Sequence, residues 1–240
     1  MTTAAEDIPV SWFRQLRDGG LLLLPFHLGS NPWQYLLKLK RQGNCLDSEW
    51  IGQVGFIGMK GMAGVHEKAV ALDDRLERLS DEEDAKADLV LWMDASDQPK
   101  LNLIRQAIRG KEPRVSRIVN APTHFHEWAG FRLFLFLESG EDMFLADSMK
   151  PTSRQFLGLI APDESCALLS NNVLSWGSNR ALEILDAQVD RWDALGRPVL
   201  SDFSLRFFPK ELLDRETFHL GQINKGWLVS MGSHLVRFSL

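Results

Sequence analysis

The chain has 240 residues, 45% hydrophobic, 25% charged and 10% aromatic, which excludes a disordered, collagenous or low-complexity protein. Twenty-seven basic residues against thirty-two acidic ones leave a net charge of −5, without the basic footprint of a nucleic-acid binder. Two distant cysteines, Cys45 and Cys166, argue against a disulfide framework or a cysteine zinc site. The longest apolar runs, 21–26 and 134–137, are far shorter than the roughly 20 residues of a membrane span. The opening MTTAAEDIPV has neither the basic nor the apolar region of a secretory signal, so a cytoplasmic protein with no membrane partner is expected.

Along the chain, Val10, Phe13 and Leu16 have helical spacing, with Pro9 at the start and Asp18-Gly19-Gly20 at the stop. Leu21 to Leu24, closed by Pro25, is a continuous apolar run of strand length, as a strand buried on both faces requires. Trp33 to Leu39 and Gln53 to Met59 are predicted as two further strands, separated by the turn Arg41-Gln42-Gly43-Asn44. Glycines 52, 55, 58, 61 and 64 recur every third residue; a bulged strand running into a loop accounts for them better than a collagen repeat.

Residues 65–115 are more polar, with an acidic cluster from Asp73 to Asp88 and a capping-box pair, Ser80 and Glu83. Leu101, Ile104, Ala107 and Ile108 then form one helical face ended by Gly110, and the region is expected to be a linker or helical junction. Residues 116–240 are expected to form a compact α+β unit. Phe131 to Leu137, Phe156 to Ile160, Ala167 to Leu169, Phe203 to Phe208 and Leu235 to Leu240 are its predicted strands. Asn179 to Leu195 is its predicted helix, with Leu182, Leu185, Val189 and Trp192 on one face and Gly196-Arg197-Pro198 as terminator.

Several chemistries are missing from the sequence. No G-x-G, G-K-[ST], G-x-S-x-G or H-E-x-x-H occurs, which removes the glycine-rich cofactor loop, the P-loop, the nucleophile elbow and the zinc helix. The sharpest positive feature is Thr123-His124-Phe125-His126-Glu127. On a strand, His124 and His126 would point the same way, as metal ligands must, although no third ligand is evident. Eight tryptophans fit a core role, with a share available to line a peptide groove. Cys166 is expected in the core and Cys45 at a surface turn, neither with a basic neighbour to make a reactive thiolate.

The first sixty residues carry a resemblance. Thr3-Ala4-Ala5 with Ile8-Pro9, Gln15-Leu16 with Gly19-Gly20 and Pro25, Gln34 with Leu36, and Phe56 with Gly61 follow one known succession. It resembles the C-terminal part of protein-L-isoaspartate O-methyltransferases, whose pattern runs T-A-A-x-x-I-P, Q-L-x-x-G-G-x-L-x-x-P and F-V-P-L-x-G. Gly58 stands where that last segment has proline. WDALGRP at 192–198 and the following DFSLRFFP are similar to the C-terminal extension of the FxLD and lanthipeptide-associated relatives.

The resemblance implies an α/β fold in which the C-terminal flank of a Rossmann-like methyltransferase sheet is followed by an α+β C-terminal domain. It divides the chain into 1–64 (sheet remnant), 65–115 (junction) and 116–240 (acceptor recognition). It also implies S-adenosylmethionine as cofactor and a peptide or protein acceptor. The cofactor loop of the family would lie upstream of Met1, so the chain is expected to lack the cofactor-binding half and to be inactive alone. A separate cofactor-binding subunit would be the alternative source. Thr3, Ala4 and Ala5 correspond to the lip of the ligand edge, and no catalytic residue is assigned. The Leu21 to Leu24 strand should then expose an apolar face and an edge. Two other readings follow from the residues: a non-catalytic peptide- or protein-binding module derived from the same family, and a metal enzyme centred on His124 and His126.

Overall fold

The computed structural model describes residues 4–28, 33–55, 67–71, 90–94, 97–108, 111–148, 154–213 and 226–240. The chain forms two compact units, 1–65 with 198–240, and 66–197. The first unit therefore draws on both ends of the sequence. Residues 67–108, expected to be a junction, contribute two strands and a helix to the second.

In the first unit, a short helix, α1 (Val10–Gln15), precedes strands β1 (Leu21–His27), β2 (Gln34–Gln42) and β3 (Cys45–Val54). Gly43 takes φ +58° in the two-residue turn between β2 and β3, a conformation that glycine adopts without steric cost. Such a turn can only join antiparallel neighbours, because a parallel connection needs a crossover. The resemblance implied the flank of a Rossmann-like sheet, whose strands are mostly parallel, whereas β1, β2 and β3 form an antiparallel meander. The third strand is also corrected: it begins at Cys45 and not at Gln53. Residues 56–59, Gly58, Gly61 and Gly64 lie outside the described residues, as do Ser80, Glu83 and the acidic cluster.

The meander's sheet is completed from the other end of the chain. The remaining strands of this sheet lie at Ser204–Pro209, Gly226–Met231 and His234–Ser239. The first pairs antiparallel with β3 at Arg206↔Asp47 and Phe207↔Leu46. Alternation along these strands puts Leu24, Phe26, Tyr35, Leu37, Leu39, Leu205, Phe207, Val236 and Phe238 into the core. Leu21 and Leu23 face outward and are about half exposed, at 53% and 52%, which corrects the reading of this run as a strand buried on both faces: β1 lies at the sheet's edge and buries one face only at its start.

Two polar clamps fasten the N-terminal segment to this sheet. The Arg41 guanidinium donates to the carbonyls of Phe13 and Leu16 at the end of α1 and stacks over the Phe13 ring at 4.4 Å. Asp7 accepts the Ile8 amide at 2.8 Å, the Ser233 amide at 3.0 Å and the Ser233 hydroxyl at 3.0 Å. Burial raises the Asp7 pKa, but bonds from His234 and Ser233 outweigh it, so the carboxyl sits below its usual range.

The second unit is built on a seven-stranded antiparallel sheet. Its strands in chain order are β4 (Glu67–Ala71), β5 (Val90–Asp94), β6 (Arg114–Ser116), β7 (Met143–Ser148), β8 (Arg154–Ile160), β9 (Cys166–Leu169) and β10 (Val173–Trp176). They are arranged β4-β5-β7-β8-β9-β10-β6. Completing the chain-order numbering, the first unit's late strands are β11 (Ser204–Pro209), β12 (Gly226–Met231) and β13 (His234–Ser239).

Three helices cover this sheet: α2 (Gln98–Ile108), α3 (Phe125–Ser139) and α4 (Arg180–Ala194). On one face Leu101, Ile104 and Ala107 of α2 pack with Phe144, Phe156, Cys166, Leu168 and Trp176. The opposite face (Leu145, Leu157, Leu159, Ala167, Leu169) is equally buried, and α3 and α4 approach strands β7 to β10. The rings of Phe131 and Trp192 join these two helices at 5.3 Å.

One expectation fails here. Phe131 to Leu137, predicted as a strand, lies inside α3. Ala129, Gly130, Phe131, Leu133, Phe134, Leu135 and Phe136 are all buried, so this stretch of the helix is apolar nearly all round and carries no 3.6-residue stripe. Periodicity cannot separate such a helix from a buried strand.

Candidate functional site

A cleft of about 650 Å³ lies in the second unit. One wall is the segment 117–123 between β6 and α3, and the other is the turn Ser170-Asn171 after β9. Arg117 and Arg197 are its charged lining residues.

Arg197 is positioned by the end of α4. Gly196 and Arg197 both take left-handed backbone angles, φ +84° and +58°, and the Arg197 amide donates to the Trp192 carbonyl at 3.0 Å. Glycine does this freely, whereas a side-chain-bearing residue gives up about 1–2 kcal/mol. The compensation lies in the guanidinium contacts. Nε donates to Glu127 Oε1 at 3.1 Å, and Nη1 donates to Asn120 O and to Asp193 Oδ1, both at 3.1 Å. The group also stacks on Trp192 with 4.5 Å to the ring centroid. Asn120, whose carbonyl it holds, is itself left-handed at φ +65°. Two side-chain-bearing residues in uncommon backbone regions thus meet at one cleft, the kind of site where stored strain repays a functional reading.

Glu127 links this arginine to the start of α3. Its Oε2 accepts the Thr123 amide at 2.9 Å, the His124 amide at 3.2 Å and the Thr123 hydroxyl at 3.3 Å. The backbone bond from Thr123 is the main cause that drives its pKa down to about 2; burial opposes this, while Arg197 and His124 reinforce it. On Arg197, burial lowers the pKa, but the bonds to Glu127 and Asp193 outweigh it and the net shift is upward. A carboxylate that acidic is permanently ionised at neutral pH and is a poor general base. The arrangement is therefore a rigid polar cleft. Arg117 is its guanidinium outside the Glu127–Arg197–Asp193 set, and Asn120, Asn171, Ser170 and Thr123 add polar lining.

The predicted metal pair lies elsewhere in its local geometry. His124 is the N-cap of α3 and His126 lies in its first turn, so the two do not alternate on a strand. Their rings stack at 5.6 Å and both are exposed. No group of three or more His, Cys, Asp or Glu able to hold a metal occurs among the described residues.

Of the residues expected at the cofactor lip, Thr3 lies outside the described residues. Ala4 and Ala5 are fully buried. The Ala5 amide donates to Pro25 O at 3.0 Å and its carbonyl accepts the His27 amide at 2.8 Å, forming one parallel bridge to β1 at Phe26. The Ala5 backbone groups are thus engaged by β1, and both alanine side chains are buried.

Two further clusters have chemical residue types and structural wiring. Asp7, His234 and Ser233 match a hydrolase triad in composition. However, the Ser233 hydroxyl shares its one proton between Asp7 and Ile8 O, Ser233 and Asp7 both approach the same His234 nitrogen, Nδ1, and His234 is 1% exposed, so the set is a clamp on a hairpin turn. Asp163 accepts the Ser165 hydroxyl at 2.7 Å and the Ser178 hydroxyl at 2.5 Å, and those hydroxyls cap the first amides of α4. Burial pushes the Cys166 thiol up to about 12, in keeping with a core residue.

The sequence signal for Glu127 was present in the THFHE stretch, but it marks a helix start and not a ligand set. Arg197 was legible only as part of a helix terminator. Nothing in the local sequence connects it to Asn120 or Glu127, which lie 77 and 70 residues away.

Comparison with known proteins centres on the N-terminal segment. Residues 1–63 match the family model described as Protein-L-isoaspartate(D-aspartate) O-methyltransferase (PCMT). The protein-L-isoaspartate O-methyltransferases of Dictyoglomus thermophilum and Dictyoglomus turgidum are each 36% identical over 64 residues, 27% of this chain and 28% of the relative. The chain thus spans less than a third of the length of the curated relatives it matches. A solved structure titled protein-L-isoaspartate O-methyltransferase aligns over 85% of this chain and 49% of its own, at 17% identity and a TM-score of 0.30. Residues 1–63, which supply α1 and strands β1 to β3, are thus the part of the chain that is similar to protein-L-isoaspartate O-methyltransferases.

Proposed function

We propose that the chain serves an S-adenosylmethionine-dependent protein carboxyl O-methyltransferase of the isoaspartate type, as the part that recognises the peptide or protein acceptor. The observation that carries this reading is the match of residues 1–63 to the family model. The cleft of the second unit supports the acceptor role, because Arg117 lines it beside the polar Asn120, Thr123, Ser170 and Asn171, while Arg197, paired with Glu127 and Asp193, braces the wall by holding the Asn120 carbonyl.

S-adenosylmethionine supplies the methyl group in such a system. The burial of Ala4 and Ala5, with the Ala5–Phe26 bridge, favours a cofactor site outside the described residues, on an N-terminal half or on a separate cofactor-binding subunit. Acting alone, the chain is then inactive. The same burial favours a second reading, a non-catalytic peptide- or protein-binding module derived from this family.

The experiment is a calorimetric titration of S-adenosylmethionine into the 240-residue chain, with an assay for labelled methyl transfer to an isoaspartyl peptide. The proposal expects no binding heat and no transfer. Saturable binding in the micromolar range, or transfer by the chain alone, would overturn the assignment of the cofactor elsewhere.

A further inference from the structure

A second, smaller hollow of about 250 Å³ lies on the first unit's sheet, lined by Asp47, Ser48, Ser204, Leu205, Arg206, Arg237 and Ser239. Its two arginines face each other directly across strands, in the register Arg206↔Arg237 of β11 and β13. Like charges opposite one another in an antiparallel pair are destabilising, so this arrangement calls for an anion.

Asp47 supplies only part of it. Both of its oxygens are taken by Arg206, with Nη2 to Oδ2 at 2.8 Å and Nε to Oδ1 at 2.5 Å. Arg206 is correspondingly shifted upward, chiefly through this bond. Arg237, exposed at the same level of the sheet, has no anionic partner among the described residues. Two arginines and one aspartate leave a single positive charge in the hollow.

The hydroxyls around it add donors. Ser48 Oγ accepts the Leu205 amide at 2.8 Å, which leaves its proton available. The Ser204 and Ser239 hydroxyls share one bond at 2.8 Å, and Ser204 Oγ also reaches the Ser239 carbonyl at a long 3.4 Å, a weak bond that an incoming carboxylate can replace. The lining is therefore rich in donors, and its one carboxylate is already committed.

We propose that this hollow binds the carboxylate of an acidic peptide, gripped by Arg237 and supported by the Ser48, Ser204 and Ser239 hydroxyls. A planar carboxylate matches the guanidinium fork, and its single negative charge cancels the single residual positive one. A phosphate dianion overshoots that balance beside Asp47. This inference is independent of the methyltransferase reading and concerns the first unit alone.

The test is NMR on the isotope-labelled full chain, following the Arg Nε–H signals and the amides of Leu205, Arg206 and Arg237. Three probes are titrated: N-acetylaspartate amide, N-acetylasparagine amide and inorganic phosphate. Saturable shifts with the aspartate probe are expected, with binding at least tenfold weaker in Arg237→Gln and unchanged in Lys38→Gln. Lys38 is a cation of the same sheet that lies outside the hollow and pairs with Glu49 at 2.7 Å. Arg237→Gln is also expected to melt at or above the temperature of the parent, because it relieves the Arg206 repulsion. Equal shifts with the aspartate and asparagine probes would overturn the proposal, as would tighter binding of phosphate. A lower melting temperature in Arg237→Gln with unchanged aspartate binding would make Arg237 a structural residue. Arg237→Lys, which keeps the charge without the fork, provides a second folded variant and should bind more weakly than the parent.

Discussion

Glu127 shows how much of the cleft depends on one side chain. Its carboxylate gathers the Thr123 and His124 amides and the Arg197 Nε, so it fixes both the start of α3 and the guanidinium above Trp192. Glu127→Gln should cost about 1.5–3 kcal/mol at neutral pH, the range for hydrogen bonds to a charged group. The sign of its pH dependence follows from the depressed pKa. The ionised group contributes stability above its ordinary carboxylate value, and this is lost as pH falls towards about 2. Urea unfolding of the parent and the variant between pH 7 and 2 should show the difference closing with acid. A gap that stays constant over that range would contradict the assignment. The sequence displayed the glutamate beside two histidines and so suggested metal chemistry; its partner Arg197 was hidden because the contact spans 70 residues.

At the scale of elements, legibility followed periodicity. The faces of α2 and α4 were readable because Leu101, Ile104 and Ala107, and Leu185, Val189 and Trp192, recur at helical spacing above polar residues. The helix α3 was not, since burial on nearly all sides removes that contrast. Short strands such as β6 and β10 have too few residues to establish alternation. Two strand glycines separate packing from mere proximity. A Cβ on Gly158 would lie 2.3 Å from the Phe144 ring, which is buried and pairs with it across β7 and β8. A Cβ on Gly52 would meet the Trp50 ring at the same 2.3 Å, but Trp50 is half exposed and free to swing away. Gly158→Ala should therefore destabilise by about 1–3 kcal/mol, the cost of overpacking, and Gly52→Ala by less than about 0.5 kcal/mol. Chemical denaturation of both variants checks this, and equal losses would refute the distinction.

At the scale of the whole molecule, the first unit joins residues 1–65 to residues 198–240. Its β3–β11 pairing bridges some 160 residues, as the Arg206–Asp47 contact does. No local pattern encodes a pairing of that separation, which is why the sequence suggested consecutive regions instead. The family likeness was legible from residues 3–61, and the comparisons place it at 1–63. The antiparallel order of those strands was not, although the two-residue turn at Gly43-Asn44 already required it. Among the described residues no helix is long and apolar enough to cross a membrane.

The central proposal is that the second unit's cleft holds a peptide acceptor through Arg117. The most direct measurement is calorimetric titration of an isoaspartyl peptide, and of its aspartyl counterpart, into the 240-residue chain and its Arg117→Ala variant. The account predicts saturable binding that favours the isoaspartyl form and weakens at least tenfold in the variant, with the fold retained. Absence of binding, or binding indifferent to Arg117, would contradict it.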